Sequence, residues 1–138
     1  MNKERLKEIY LKYNLEKDDI FELKFGNNVK HIITRSGIEK IQQQEKISCQ
    51  YKIENISDDH KHVVIIARGV VMKKSKDGSE REIPTNMTET FGECSPSNNT
   101  QKYPIAMAEK RALARLVIKM ANLFGMYSED EAEEFKRK

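Results

Sequence analysis

The sequence has 138 residues, of which 25 are Lys or Arg and 22 are Asp or Glu, so the formal net charge is +3. Hydrophobic residues make up 38% and charged residues 34%, which is typical of a single water-soluble domain. No apolar run approaches the length of a membrane span, and two cysteines are too few for a disulfide-based scaffold. The N-terminus lacks the apolar stretch of a signal peptide, so we expect a cytoplasmic protein.

The N-terminal third predicts two helices around a hairpin. Residues 3–13 form an amphipathic pattern, with apolar or aromatic side chains at Leu6, Ile9, Tyr10 and Tyr13. Residues 20–25 and 29–33 flank the turn Gly26-Asn27-Asn28 and predict two short strands. A short helix over 37–44 follows, with Thr34 or Ser36 as its N-cap.

Three further strands are predicted in the middle of the chain. Residues 47–54 alternate apolar and polar side chains. Residues 62–72 are apolar on both sides apart from Arg68 and Gly69, which favours a central strand covered on much of both faces. The turn at 76–79 contains Asp-Gly, a hairpin signal, and leads into a strand over 80–94. Pro84 predicts a bulge or an edge position for this third strand.

The longest helical pattern lies at 103–125. It starts with Pro104 in the first turn and is expected to end at Gly125. One broad face of the helix is apolar and is expected to pack on the sheet; its members are Ile105, Ala108, Ala112, Leu116, Met120 and Leu123. Ser128 and Glu131 then have the spacing of a capping box for a final acidic turn or two.

These elements predict an α+β fold with a short N-terminal helix and an antiparallel three-stranded β-sheet packed by a long C-terminal helix, a β-β-β-α core. We predict one domain over 1–138, with an N-terminal arm at 1–18, the core at 19–125 and an acidic tail at 126–138. Five acids lie in the last eleven residues, so the body before them is more basic than the net charge suggests.

Catalytic motifs are absent from the sequence. It contains no Gly-rich phosphate loop, no GxSxG and no HExxH, and we therefore expect a protein that is not an enzyme. Cys49, His60, His62 and Cys94 have no zinc-knuckle spacing, so no metal or cofactor is predicted.

Basic residues on the predicted helix and hairpin favour binding to a phosphate backbone. Arg111, Arg115 and Lys119 recur at intervals of four beside the apolar face of the helix, although a solvated helix surface has the same pattern. Arg68 interrupts an apolar strand and is expected either to reach a groove or to pair with Glu89 or Glu93.

The other candidate contacts lie on the hairpin and on two aromatic rings. Lys73, Lys74 and Lys76 flank the hairpin tip, where they either contact phosphates or keep an exposed edge soluble. Tyr51 and Tyr103 are candidates for base stacking, with packing in the fold as the alternative.

Three segments carry a resemblance to a known group of proteins. They are YPIAMAEKRALARLVIKMANLFGMYSEDEAEEF, the strand ending ETFGECS that precedes it, and ITRSGIEKI. Together they resemble small phage-borne and prophage-borne proteins of DNA recombination. More distantly, the order of three strands and a basic helix resembles the single-strand annealing proteins of the Rad fifty-two superfamily.

This resemblance implies a function and a set of contact residues. Proteins of that superfamily form rings or filaments, hold single-stranded DNA in a basic groove between a hairpin and the long helix, and anneal strands without ATP. If the chain is phage-encoded, it acts in the cytoplasm of the bacterial host, with a nuclease or replication partner left open. Residues implied in DNA binding are Arg68, Lys73, Lys74, Lys110, Arg111, Arg115 and Lys119.

Two other functions fit the same pattern. The order helix, three strands, helix also occurs in double-stranded-RNA-binding domains, which place basic residues such as Lys110 and Arg111 at a helix N-terminus. A non-catalytic module for protein assembly is the third hypothesis, in which the cationic row binds the acidic tail of another copy. The first and third hypotheses predict a homo-oligomer.

Overall fold

The computed structural model of the chain describes residues 2–79, 81–97 and 103–136, with side chains up to residue 132. The helices are α1 (Lys3–Tyr13), α2 (Arg35–Gln44), α3 (Pro104–Met120) and α4 (Glu129–Lys136). The strands are β1 (Ile20–Phe25), β2 (Asn28–Ile33), β3 (Ile47–Ile56), β4 (Val63–Lys74), β5 (Glu82–Cys94) and β6 (Met126–Ser128). The predicted α+β class is confirmed, but the strands form two sheets of three rather than one.

Local signals define the two N-terminal helices, although α2 begins at Arg35, two residues before its predicted start. The Asn2 side chain accepts a hydrogen bond from the Arg5 N–H at 2.8 Å and caps α1. Asn14 ends this helix in the left-handed conformation, with φ of 51°. At α2, the Thr34 hydroxyl accepts a hydrogen bond from Gly37 N–H at 3.3 Å, so the cap is Thr34 rather than Ser36.

The first sheet has the order β1-β2-β6. β1 and β2 form the predicted antiparallel hairpin, whereas β6 pairs in parallel with β2 and places Tyr127 opposite Ile32. Ile32 and Ile33 are completely buried. A strand of three residues has too short a pattern to be recognised in the sequence, because its pairing comes entirely from contacts distant in the chain.

The second sheet is the antiparallel meander β3-β4-β5. β4 is central, as predicted. Among the described helices, α3 makes most of the contacts with this sheet, and α2 makes a small contact with β3. Val63, Ile65 and Ala67 are buried on the face towards α3, and Gly69 continues this face. We call this the inner face. The expectation that much of both faces of β4 is covered is therefore met in part, since Val64, Ile66, Val70 and Met72 on the opposite face are only partly buried.

α3 lies very close to the inner face at β5. A Cβ atom on Gly92 would lie 2.0 Å from the Ala108 carbonyl oxygen. The Thr90 hydroxyl donates a hydrogen bond to the Ala112 carbonyl at 2.7 Å in the same region. Small side chains on the helix and a glycine on the strand let the two backbones approach, so Ala108, Ala112 and Leu116 of the predicted face are buried. Ile105, predicted on the same face, is 39% exposed because it lies in the first turn of the helix.

The long helix ends earlier than predicted. Asn122 is left-handed with φ of 57°, and Leu123 N–H donates to the Ile118 carbonyl at 2.9 Å. Together with the bond from Asn122 N–H to the Lys119 carbonyl at 3.2 Å, this forms a Schellman motif. Asn122 therefore terminates α3 in place of Gly125.

β4 and β5 continue beyond the end of α3. Leu116 and Met120 lie over Gly69, while β4 runs on to Lys74. Residues 70–74 of β4, at about 3.4 Å each, extend roughly 17 Å beyond this contact. We call this extension, together with the part of β5 that pairs with it, the arm. Gly78, with φ of +83°, lies in the predicted turn at its tip. Pro84 lies on the edge strand, as its missing N–H requires.

Candidate nucleic-acid interface

Arg111 lies inside the fold. Its side chain faces β5 and α4, and the residue is only 3% exposed. Nη1 donates to the Glu93 carbonyl at 2.9 Å, and Nε lies 3.4 Å from the Asp130 carbonyl. The expectation that Arg111 lies on an open surface was wrong, because its guanidinium satisfies backbone carbonyls that would otherwise be left without a donor.

Arg115 is enclosed by acids from two elements. Nη1 and Nη2 donate to Oε2 and Oε1 of Glu93 at 2.6 and 2.8 Å, a bidentate pair. Nη1 also donates to the Phe91 carbonyl at 2.8 Å, and the guanidinium is ion-paired with Glu131 of α4. Hydrogen bonds from Arg115 lower the pKa of Glu93, and those from Glu93 raise the pKa of Arg115. This arginine therefore connects β5, α3 and α4.

The acidic segment is part of the fold rather than a solvated tail. Glu129 accepts a hydrogen bond from Arg35 N–H at the start of α2, at 2.7 Å. Burial raises the pKa of Asp130, against the lowering effect of the nearby charges of Lys110 and Arg35. Ser128 Oγ is buried and has no hydrogen-bond partner among the described residues, so the predicted capping box is not formed. α4 thus covers the part of α3 that the sequence predicted to be open.

Arg68 adopts one of the two roles predicted for it. Its Nε and Nη2 contact Oε1 of Glu89 at 2.7 and 2.5 Å, and both side chains are exposed. An exposed pair of this kind contributes about 0–1 kcal/mol to stability. Arg68 therefore neutralises its cross-strand neighbour and is not a free cation.

Lysines remain accessible at the other end of α3. Lys73, Lys74 and Lys119 are exposed, and among the described residues none has a salt-bridge partner within 4.0 Å. Lys73 and Lys74 lie on the arm, and Lys119 lies in the last turn of α3, next to Met120 over Gly69. We call these three residues the hairpin-end lysines.

Lys46 joins the same end of the molecule. Its carbonyl accepts a hydrogen bond from Met72 N–H at 3.4 Å, which places it beside the start of the arm. Lys46 was not predicted as a contact, because it lies in the turn between α2 and β3, twenty-six residues before Met72. Only a correct β3–β4 register would have indicated this proximity.

The remaining predicted contacts are dispersed. Lys110 is half-buried near Asp130, away from the hairpin-end lysines. Tyr51 is partly exposed on β3, and its pKa is raised mainly by burial. Tyr103 is exposed beside a cavity of ≈ 410 Å³ at the N-terminus of α3, which His60 and Glu109 also line. The two tyrosines therefore do not lie close to the arm.

Neither a metal centre nor a membrane-spanning helix is found among the described residues. Within the described residues, no group of three or more His, Cys, Asp or Glu side chains is arranged to hold a metal ion. The described helices include none that is long and apolar enough to cross a bilayer. No protein-family model, curated protein or solved structure matches the sequence.

Proposed function

We propose that this protein binds single-stranded DNA through the hairpin-end lysines and, as an oligomer, promotes annealing of complementary strands without ATP. The observation that carries the proposal is a set of three exposed lysines, from the arm and from the end of α3, that have no salt-bridge partner among the described residues. Their ammonium groups are available to phosphates at no cost in broken ion pairs. The arginines predicted for this role are occupied by carbonyls and carboxylates.

The arrangement of β3, β4, β5 and α3 supports the proposal further. An antiparallel meander with a helix on one face and a protruding hairpin fits the general plan implied by the resemblance to annealing proteins. The DNA lies, in this proposal, across the arm and the C-terminal end of α3 rather than along the whole helix. Recognition of phosphates makes binding independent of base sequence, since bases are read by pairing between strands.

The proposal is tested by removing the three charges together. We expect the variant Lys73→Gln/Lys74→Gln/Lys119→Gln to bind a single-stranded oligonucleotide more weakly, and to lose about 2 from the slope of log K against log salt, because about 0.7 counterion is released per contact. The matched control is Lys17→Gln/Lys24→Gln/Lys61→Gln, which removes the same charge from exposed positions elsewhere. Fluorescence anisotropy at several salt concentrations measures both quantities.

Equal losses in the two variants would mean that only net charge matters, and would refute the assigned surface. Binding should be compared on single-stranded DNA, duplex DNA and duplex RNA. A preference for duplex RNA would replace the proposal with the double-stranded-RNA hypothesis. Annealing itself is measured by energy transfer between two labelled complementary strands in the absence of ATP.

A further inference from the structure

The second sheet has an outer face that carries an ordered set of side chains. Since Gly69 and Gly92 face α3, the residues that alternate with them on β4 and β5 point away from it. The register places Gln50, Arg68 and Glu89 side by side in one row across the sheet. The adjacent row consists of Lys52, Ile66 and Phe91.

This outer face is unusually apolar for a surface. β4 contributes four partly buried side chains, Val64, Ile66, Val70 and Met72. On β5, Phe91 is 51% exposed. Among the described elements, α3 lies on the inner face and no other helix makes an extensive contact with β4 or β5, so the apolar stripe is left partly open to water.

A depression of ≈ 400 Å³ lies beside the stripe, between β3 and β4. Gln50, Lys52, Ile66 and Arg68 line it, together with Tyr51 and Glu89. A cavity of about 150 Å³ holds a benzene molecule, so this depression has room for a phenyl ring. Phe91 of the same chain lies on β5, opposite Ile66, and is not among the residues that line the depression.

We propose that the outer face binds the same face of a second copy, as a two-fold dimer whose axis runs parallel to β4. Such an axis places β3 of one copy over β5 of the other. Phe91 then enters the partner's depression, close to the partner's Lys52 ammonium, and the two Ile66 side chains meet at the axis. Sheets stacked in this way lie about 10 Å apart with their strands nearly aligned.

When the two-fold axis brings the outer faces together, side chains of opposite chemical character face each other in both rows. Lys52 lies opposite an aromatic ring, which an ammonium group approaches favourably. Gln50 lies opposite Glu89, so an amide N–H₂ meets a carboxylate that Arg68 also neutralises. An isologous contact needs a patch that fits itself. Arg68 meets its own copy at the axis, where its ion pair with Glu89 offsets the repulsion between the two guanidinium groups. This inference rests on the proposed function at one point: it names the surface through which the proposed oligomer forms.

Truncation of the ring tests the interface. We expect Phe91→Ala to weaken dimerisation roughly thirtyfold, the effect of losing a hot-spot side chain. Leu11→Ala is the matched control, because Leu11 is 74% exposed on α1, and it should leave dimerisation unchanged. Sedimentation equilibrium without DNA gives the dissociation constant, and circular dichroism checks that both variants are folded.

Cross-linking provides an independent measurement at the axis. Ile66→Cys in a Cys49→Ser background should give a covalent dimer with a short bis-maleimide, whereas Val29→Cys on β2 should not. A wild-type protein that is monomeric at all concentrations, or equal cross-linking at both positions, would overturn the dimer. Weaker DNA binding by Phe91→Ala with unchanged dimerisation would assign the face to nucleic acid instead. Sedimentation is measured without DNA, so the absence of the proposed dimer can be distinguished from the absence of DNA binding by the hairpin-end lysines.

Discussion

Replacement of Gly92 by Ala should separate α3 from the second sheet. The added Cβ atom would lie 2.0 Å from the Ala108 carbonyl oxygen, 2.5 Å from the Ala112 nitrogen and 2.8 Å from the Ala112 Cβ. Two of these atoms belong to the helix backbone and cannot rotate away. Restoring an ordinary contact of 3.4 Å to the nearest atom requires a relative movement of about 1.4 Å.

The energetic cost follows from this movement. Overpacking in a well-packed interior costs about 1–3 kcal/mol and occasionally more. The displacement also breaks the buried bond from Thr90 to the Ala112 carbonyl, which contributes about 1 kcal/mol. We therefore expect Gly92→Ala to lower the free energy of unfolding by about 2–4 kcal/mol, a large fraction of the typical 5–15 kcal/mol of a domain.

Urea denaturation followed by circular dichroism measures the difference. The control is Gly78→Ala, at a turn where an added Cβ has no atom within 4 Å but φ is +83°. Left-handed strain there should cost about 1–2 kcal/mol. If Gly92→Ala were no more destabilising than Gly78→Ala, the close approach of α3 to β5 would be refuted.

Three further predictions concern the ion pairs and the end of α3. Arg115→Ala should lower the free energy of unfolding by about 2 kcal/mol in urea, because it leaves two neighbouring carboxylates without their donor, in a partly exposed site that moderates the loss. Hydrogen bonds from Arg115 hold the pKa of Glu93 below its ordinary 4.5, so this group contributes stability that is present above that pH and is lost as the pH falls through the lowered value. Thermal unfolding of Glu93→Gln should accordingly depend less on pH than that of the wild type between about pH 5 and 3. Asn122→Val should cost about 1–2 kcal/mol, since a β-branched residue is strained at φ of 57°, whereas Asn122→Gly should be tolerated.

Each of these predictions has an outcome that contradicts it. Arg68→Ala is the control for Arg115, since its exposed pair should change stability by less than about 1 kcal/mol. Equal effects of the two substitutions would show that the α4 contacts do not stabilise the fold. Parallel pH curves for Glu93→Gln and wild type would remove Glu93 from the acid transition. Equal stability of Asn122→Val and Asn122→Gly would exclude the left-handed C-terminus of α3.

The contacts of α4 change the interpretation of the charge pattern. Arg111 and Arg115 stabilise the junction of β5, α3 and α4, so their loss should be seen first in stability. Nucleic-acid binding measured on such variants would report unfolding as well as lost contacts. The hairpin-end lysines avoid this difficulty, because their side chains are exposed and they lack described ion-pair partners.

Local periodicity and capping determined most of the secondary structure. Asn2 and Asn14 bound a helix that the sequence predicts at 3–13, and the Asp-Gly turn places the β4–β5 hairpin. These features were predictable because their stabilising contacts lie within a few residues in the chain. The apolar positions of α3 were predictable for the same reason, since helical geometry alone brings them to one face.

Tertiary structure alone decided which charges remain available. Arg111 and Lys119 have the same periodicity, yet one donates to the Glu93 carbonyl and the other is exposed. The difference arises because α4 and β5 cover only the first part of the helix row, and no pattern within α3 contains that information. β6 and the open outer face likewise depend on pairing and packing between distant segments, which a sequence read in order does not specify.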